Sequence, residues 1–304
     1  LIFDNYLFNK IDHDYATVYQ DASISSIEVK EGMVTLVMSH EGQQVTVTSP
    51  LIVGADGDKG IIRKQLGNDT ISEKSYTGGL RAYYRNVTGM DQENYIELHF
   101  LKEMLPGYFW VFPLPNGIMN VGVGILADVV RQKKINLREQ MLNAIEVNPT
   151  IKHRFRNAEL MGKIQGWGLP MAVTNRSISG HNYLLVGDAA SLIDPFSGEG
   201  IGNALYSGMM AAYAIEKSLS EGKQDAVFLK ENYDDKLYGR INSELKISQT
   251  LQKLSRYPWF LNMLVNKANR SPSLTNVMTG MLKDMDLRAE FRKPSFYAKI
   301  LLNR

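Results

Sequence analysis

The sequence contains no cysteine. That excludes disulfides, thiolate metal sites, paired-cysteine redox motifs and a cysteine nucleophile within this chain. It also suits a reducing compartment, so the expected location is the cytoplasm. No apolar run approaches the ~20 residues that span a bilayer. The chain opens on Leu1 rather than Met, and its first residues do not form a signal peptide. Charge of one sign is also lacking, since 34 Lys and Arg against 32 Asp and Glu leave a net +2. So small an imbalance excludes a nucleic-acid-binding surface. The five histidines, His13, His40, His99, His153 and His181, show no ligand spacing, and no metal is expected. What remains is a globular composition, 44% hydrophobic and 22% charged, over 304 residues, enough for two domains or one large composite. No repeat, low-complexity tract or linker interrupts it.

Hydrophobic patterning predicts the elements. Thr17 to Val53 reads as a β meander, with turns at Glu31-Gly32 and Glu41-Gly42. Leu51-Ile52-Val53 is wholly apolar and suits a strand buried on both faces, as in a parallel sheet. A short helix is expected over Ile61 to Leu66. Between Gly79 and Val123, aromatic-rich runs separated by Gly, Pro and Asn predict an antiparallel sheet. Leu137 to Glu146 reads as a helix, and Tyr183 to Asp188 as an apolar strand with a sharp polar end. Asn203 to Leu219 has helical spacing, and from Asp225 the chain reads as helical, broken at Pro258, Pro272 and Pro294.

Two segments carry chemistry. The first runs from Gly187-Asp188-Ala189 through Pro195 to Gly198-Glu199-Gly200-Ile201-Gly202-Asn203. A buried strand ends in an aspartate, a Gly-rich loop follows, and a helix begins near Gly200. Glycines let backbone N–H groups approach a ligand, and the helix N-terminus favours an atom that becomes anionic. A ribityl chain and the pyrimidine edge of a reduced flavin meet both demands. A Gly-rich turn that only tightens a strand–helix junction is the alternative. The second segment, Leu51 to Arg63, is again a strand, an acidic glycine turn and a helix. There Asp56 suits a ribose or ribityl hydroxyl, or simply a turn.

Together these segments resemble the superfamily of FAD-dependent reductases and monooxygenases typified by p-hydroxybenzoate hydroxylase. The matching wording is G-A-D-G-x-x-x-x-x-R followed by G-D-A-A-x-x-x-x-P-x-x-G-E-G-I. A third segment, Tyr108-Phe109-Trp110-Val111-Phe112-Pro113 with Val121-Gly122-Val123-Gly124, resembles the Y-x-W-x-F-P…G-x-G signature of geranylgeranyl reductases. The resemblance implies that Asp188 holds a ribityl hydroxyl, that Gly200-Ile201-Gly202 faces the flavin pyrimidine edge, and that Asp56 and Gly57 touch the ribityl–pyrophosphate part. It implies that Tyr108, Trp110 and Phe112 cover the isoalloxazine and a lipid substrate. Alternate residues of one strand share a face, which suits such a lining and plain core packing equally. The superfamily's first βαβ unit, with its G-x-G-x-x-G, has no counterpart before residue 51. Leu1 to Leu7 instead resembles the interior R-x-x-F-D-x-x-L stretch. The expectation is a proteolysed or truncated core of a longer flavoprotein. Any flavin-proximal cysteine would then lie outside this sequence, and the fragment itself could be inactive or free of FAD.

The expected fold class is α/β (α+β). It comprises a p-hydroxybenzoate hydroxylase-like FAD-binding domain without its first βαβ unit, an antiparallel substrate sheet and C-terminal helices. Residues 1–75 and 176–222 would belong to the FAD-binding domain, 76–175 to the substrate domain and 223–304 to a helical region. The implied activity is reduction of isoprenoid C=C bonds by hydride transfer from reduced flavin N5. An external donor, NAD(P)H or ferredoxin, would supply the electrons, and the partner would be a hydrophobic small molecule. An FAD-dependent hydroxylase is the alternative; Tyr108 and Phe112 argue against a halogenase, whose signature reads W-x-W-x-I-P. No catalytic acid stands out. Glu199 suits a proton relay or a helix-start glutamate. Tyr257 to Val265, beside Lys267 and Arg270, suits a peripheral membrane contact, the mouth of a lipid tunnel or packing onto the flavin domain.

Overall fold

The computed structural model describes residues 2–67, 71–272 and 275. A short helix, α1 (Ile2–Phe8), comes first, and none of its residues is buried. The meander follows as β1 (Ser23–Lys30), β2 (Met33–His40) and β3 (Gln43–Ser49), a three-stranded antiparallel sheet. Both of its turns have left-handed backbone at their two central residues, the geometry that matches strand twist. The chain continues through β4 (Ile52–Gly54) and α2 (Ile61–Leu66).

Next come β5 (Tyr76–Arg85), β6 (Glu97–His99), β7 (Tyr108–Leu114), β8 (Ile118–Leu126), α3 (Ala127–Gln132), α4 (Leu137–Glu146) and β9 (Glu159–Pro170). The strands form one antiparallel sheet in the order β6-β7-β8-β5-β9. One face of it is core. Phe109, Val111, Val121 and Val123 are fully buried there with Met141, Ala144 and Ile145 of α4. Each of these side chains larger than alanine contributes about 1.5–3 kcal/mol by leaving water. Asn136 caps α4, its side chain accepting from Arg138 N at 3.0 Å and Glu139 N at 3.3 Å.

The chain then returns to the first half of the fold. β10 (Ser179–Gly180) pairs with β11 (Tyr183–Leu185), and β11 runs parallel to β4. After them come α5 (Ile201–Glu221), α6 (Ala226–Leu229), a π turn at Lys230–Asp234, α7 (Asp235–Leu254) and α8 (Pro258–Ala268). Leu229, Tyr233 and Leu237 share one core with Leu184, Leu185 and Ile62, so the start of the helical region packs directly on the parallel strands.

Several expectations change. β4 is an edge strand among the described residues, and Val53 is 39% exposed, so the run is buried on one face only. β9 and α3 escaped sequence reading. Pro258 is the first residue of α8, Pro272 lies beyond its end, and the break expected at Pro294 falls outside the described residues. The stretch from Tyr257 divides by face. Phe260, Leu261 and Leu264 pack with Leu105, Leu251, Phe100 and Phe196, while Tyr257 and Trp259 remain 54% and 62% exposed.

Candidate functional site

Because β4 and β11 are parallel neighbours, the loops leaving their C-terminal ends lie side by side, where open α/β sheets bind ligands. Asp188 sits in a tight turn, Gly187–Ala190, after β11. It is half-buried, and no donor among the described residues reaches its carboxyl group. Burial, and then the Asp58 carboxylate, push its pKa above the usual carboxylate range. Asp58 lies after β4 and accepts a hydrogen bond from the Tyr76 hydroxyl. Burial and that contact raise the Tyr76 phenol far above its ordinary value. Arg63, 5% exposed, ties the two loops together. Its Nη2 donates to Asp58 O at 2.5 Å, and its Nη1 to Ala189 O at 3.4 Å and Ser191 Oγ at 3.5 Å.

The loop from Asp194 to Gly200 is built around Asp194, which is 1% exposed. Its Oδ1 accepts from Phe196 N at 3.1 Å and from Ser197 N and Ser197 Oγ at 2.8 Å. Its Oδ2 accepts from Ser248 Oγ of α7 at 2.5 Å. Gln252 of α7 donates to Pro195 O at 2.6 Å, and Asn203 to Leu192 O at 2.7 Å. Gly198 has φ +72°, and a Cβ there would lie 2.7 Å from the Tyr108 hydroxyl, so both backbone and space call for glycine. The Tyr108 hydroxyl donates to Ser197 O, which joins the loop to β7; burial raises that phenol's pKa strongly. Glu199 Oε1 accepts from Gly202 N at 2.7 Å, a carboxylate on the first turn of α5 where the helix dipole favours it.

Beside this loop, the second face of the large sheet is concave and aromatic. Tyr108, Trp110 and Phe112 alternate with the buried Phe109 and Val111, and all three line a cavity of about 420 Å³. Gly79, Leu80 and Arg81 of β5, Gln165, Trp167 and Leu169 of β9, and Gly198 complete it. Trp110 lies over Gly122 so closely that a Cβ on Gly122 would meet the indole at 2.2 Å. Its Nε1 donates to Asn120 Oδ1 at 3.1 Å. Trp110 and Phe112 stack with ring centroids 6.0 Å apart.

The structure thus brings Tyr108, Trp110, Phe112 and Gly198 to one cavity, and sets Asp188 beside Gly200, two residues beyond Gly198 on the same loop. Within reach of Asp188, the ideal Cβ position of Gly200 lies 3.5 Å from Oδ1. Other expected ligands have structural duties. Asp56 is exposed and its Oδ2 accepts from Ile62 N at 3.1 Å, capping α2; Gly57 forms the turn with Gly60. Ala189, Pro195 and Asn203 are buried. Ile201 is 63% exposed on α5. Sequence reading missed Asp58, Tyr76, Arg81, Gln165, Trp167 and the organising role of Asp194. The one available signal was Gln165-Gly166-Trp167-Gly168, a polar and an aromatic residue alternating with glycine as on a strand facing an open cavity.

This architecture, parallel strand ends beside an aromatic antiparallel sheet, is that of a flavoprotein. It matches the solved geranylgeranyl bacteriochlorophyll reductase-like protein of Thermoplasma acidophilum at TM-score 0.67 and 22% identity, covering 76% of this chain and 57% of that one. It matches the flavin-dependent brominase Bmp2 at TM-score 0.71 and 20% identity, covering 96% of this chain and 73% of that one. The chain belongs to the FAD binding domain family, whose match spans residues 2–233.

Among curated relatives, the digeranylgeranylglycerophospholipid reductase of Methanosarcina mazei is 30% identical over 69% of this chain and 50% of its own length. The menaquinone reductase of Mycolicibacterium smegmatis is 29% identical over 84% of this chain and 61% of its own length. The chain therefore spans little more than half of these relatives. They bear out the resemblance drawn from the three motifs. The structure is compatible with FAD on its own terms, because Asp188 offers a half-buried acceptor with no donor of its own beside a helix N-terminus.

Proposed function

We propose that the protein to which this chain belongs is an FAD-dependent oxidoreductase that reduces C=C bonds of an isoprenoid substrate. The observation that carries this reading is the aromatic cavity, which reaches Gly198 of the Asp194-organised loop. Its size and mostly apolar lining suit a small apolar ligand. Bound FAD would supply a hydride after reduction by an external donor, NAD(P)H or ferredoxin.

The chain's own residues bind, orient and exclude water. Asp188 would hold FAD by accepting a hydrogen bond from a ribityl hydroxyl, which would relieve the cost of its burial. The backbone at Gly200–Gly202 and the α5 dipole favour negative charge at the pyrimidine edge. Tyr108 fixes the loop through Ser197 O, so the cavity wall and the cofactor loop keep one spacing. Trp110, Phe112 and Trp167 align the prenyl chain and keep water from it. Among the lining residues no carboxylic acid is present, and we assign no catalytic acid.

No helix among the described residues is long and apolar enough to cross a membrane. We infer a cytoplasmic protein with peripheral membrane contact, a reading supported by exposed Tyr257 and Trp259 beside Arg256.

The test is anaerobic turnover of the dithionite-reduced protein with prenyl substrates, read by mass. A gain of about 2 Da per alkene supports reduction. In a parallel aerobic turnover with the flavin re-reduced by its donor, an oxygen-dependent gain of about 16 Da, without the gain of about 2 Da, overturns it in favour of a hydroxylase. A protein with no flavin absorbance, even after incubation with FAD, would be an inactive remnant.

A further inference from the structure

We propose that a small cavity behind the aromatic wall holds an ordered water between Thr77, Gln252 and Tyr108, and that this water passes on the proton needed to saturate a C=C bond. This rests on the isoprenoid reading above and deepens it by naming the proton's source. The cavity, about 30 Å³, shares Tyr108, Trp110, Leu169 and Gly198 with the larger aromatic one. The two therefore meet at the Tyr108–Trp110 wall. Thr77 of β5 and Gln252 of α7 line only the smaller cavity.

Thr77 and Gln252 are 6% and 7% exposed. Even so, the Thr77 hydroxyl makes no hydrogen bond with any described residue. Gln252 donates its amide N–H to Pro195 O at 2.6 Å, and its Oε1 accepts from no described donor. Neither oxygen is sealed among packed atoms, so both face space that water can enter. Tyr108 donates to Ser197 O and keeps a lone pair with which to accept. One water can thus accept from Thr77 and donate to Gln252 Oε1 and Tyr108 Oη. A buried water needs about 10–15 Å³ and two to four polar partners, and the cavity offers both. Without it, two buried polar atoms stay unpaired, which folded proteins avoid.

Saturating a C=C bond puts a hydride on one carbon and a proton on the other. Neither cavity is lined by a carboxylic acid or a histidine. The Tyr108 proton is committed to Ser197 O, and burial raises that phenol's pKa strongly. The Arg81 guanidinium does not give up its proton. Water at the Tyr108–Trp110 wall is the remaining source. As a C–H bond forms on the substrate, an O–H bond of the water breaks, and the water takes back a proton from solvent. The aromatic residues keep bulk water from the alkene, while Thr77 and Gln252 admit a placed molecule.

The first test is a high-resolution crystal structure of the protein. It should show water within hydrogen-bonding distance of Thr77 Oγ1 and Gln252 Oε1, and a dry cavity overturns the proposal. The second test applies the anaerobic turnover assay to Thr77→Val and Thr77→Ser. Alongside it, binding of geranylgeraniol as a prenyl probe is followed by tryptophan fluorescence, since Trp110 and Trp167 line the larger cavity. Thr77→Val keeps the β-branched shape and removes the donor. It should slow reduction at least about ten-fold with prenyl-probe binding unchanged, and Thr77→Ser should keep most of the rate. Undiminished turnover in Thr77→Val, equal slowing in both variants, or loss of probe binding in Thr77→Val overturns the proton role and leaves the isoprenoid reading standing. If the unaltered protein reduces no prenyl substrate, the isoprenoid reading fails and the proton role with it, whatever water the crystal structure shows.

Discussion

The carboxyl group of Asp188 is placed against its own ionisation. Burial and the neighbouring Asp58 raise its pKa, and no described donor offsets them. Asp188→Asn should therefore raise the melting temperature and weaken flavin binding about ten-fold or more, as calorimetry and flavin titration would show. The sign with pH follows from linkage. A carboxyl whose pKa is raised on folding lends stability at acid pH that is lost as pH rises through the folded value. The advantage of Asp188→Asn should accordingly be largest near neutral pH and vanish toward acid. Asp194 is the opposite case, a buried carboxylate with four donors. Asp194→Ala should cost roughly 2–4 kcal/mol in denaturant unfolding, because it strands the Ser197 and Ser248 hydroxyls and frees the loop. Sequence reading made Asp188 visible because a strand, an acid and glycines are adjacent. It passed over Asp194, whose four donors include one from α7.

At the scale of elements, β7 shows where sequence patterning runs out. Tyr108 to Phe112 is apolar throughout, so alternation could not say which face is core. Register against β8 decides it, since Gly122 and Gly124 lie opposite Trp110 and Tyr108 and leave room for those rings. Gly122→Ala should cost roughly 2–4 kcal/mol and weaken prenyl-probe binding, since its Cβ would meet both the Trp110 ring and Leu80 O at 2.2 Å. Unfolding and fluorescence titration check the two effects. β9 was illegible for a related reason. Gly162, Gly166 and Gly168 with a terminal Pro170 give it weak strand propensity, and pairing along β5 holds it in place. α5 and α4, by contrast, were read within two residues at each end, because their signals are local.

Over the whole molecule, apolar surface is distributed unevenly. Ile201, Leu205, Met209 and Tyr213 recur every four residues along α5 and are 46–63% exposed. Such a stripe exceeds the scattered apolar residues normal on a soluble surface. The chain should bind an apolar reporter dye and self-associate at high concentration. Leu205→Glu with Met209→Lys should reduce both effects while circular dichroism stays unchanged, and light scattering measures the outcome. By itself the sequence determined the two acidic glycine loops, the meander, the longer helices and the flavoprotein resemblance, since each depends on residues adjacent or at fixed short spacing. Only the tertiary structure decided which of those residues meet. Arg63 reaches Ala189, Tyr108 reaches Ser197 and Arg81 reaches Gln165 across scores of residues. A side chain becomes core, cap or ligand according to the partner that packing brings to it, and that partner is set by register and burial over the whole fold.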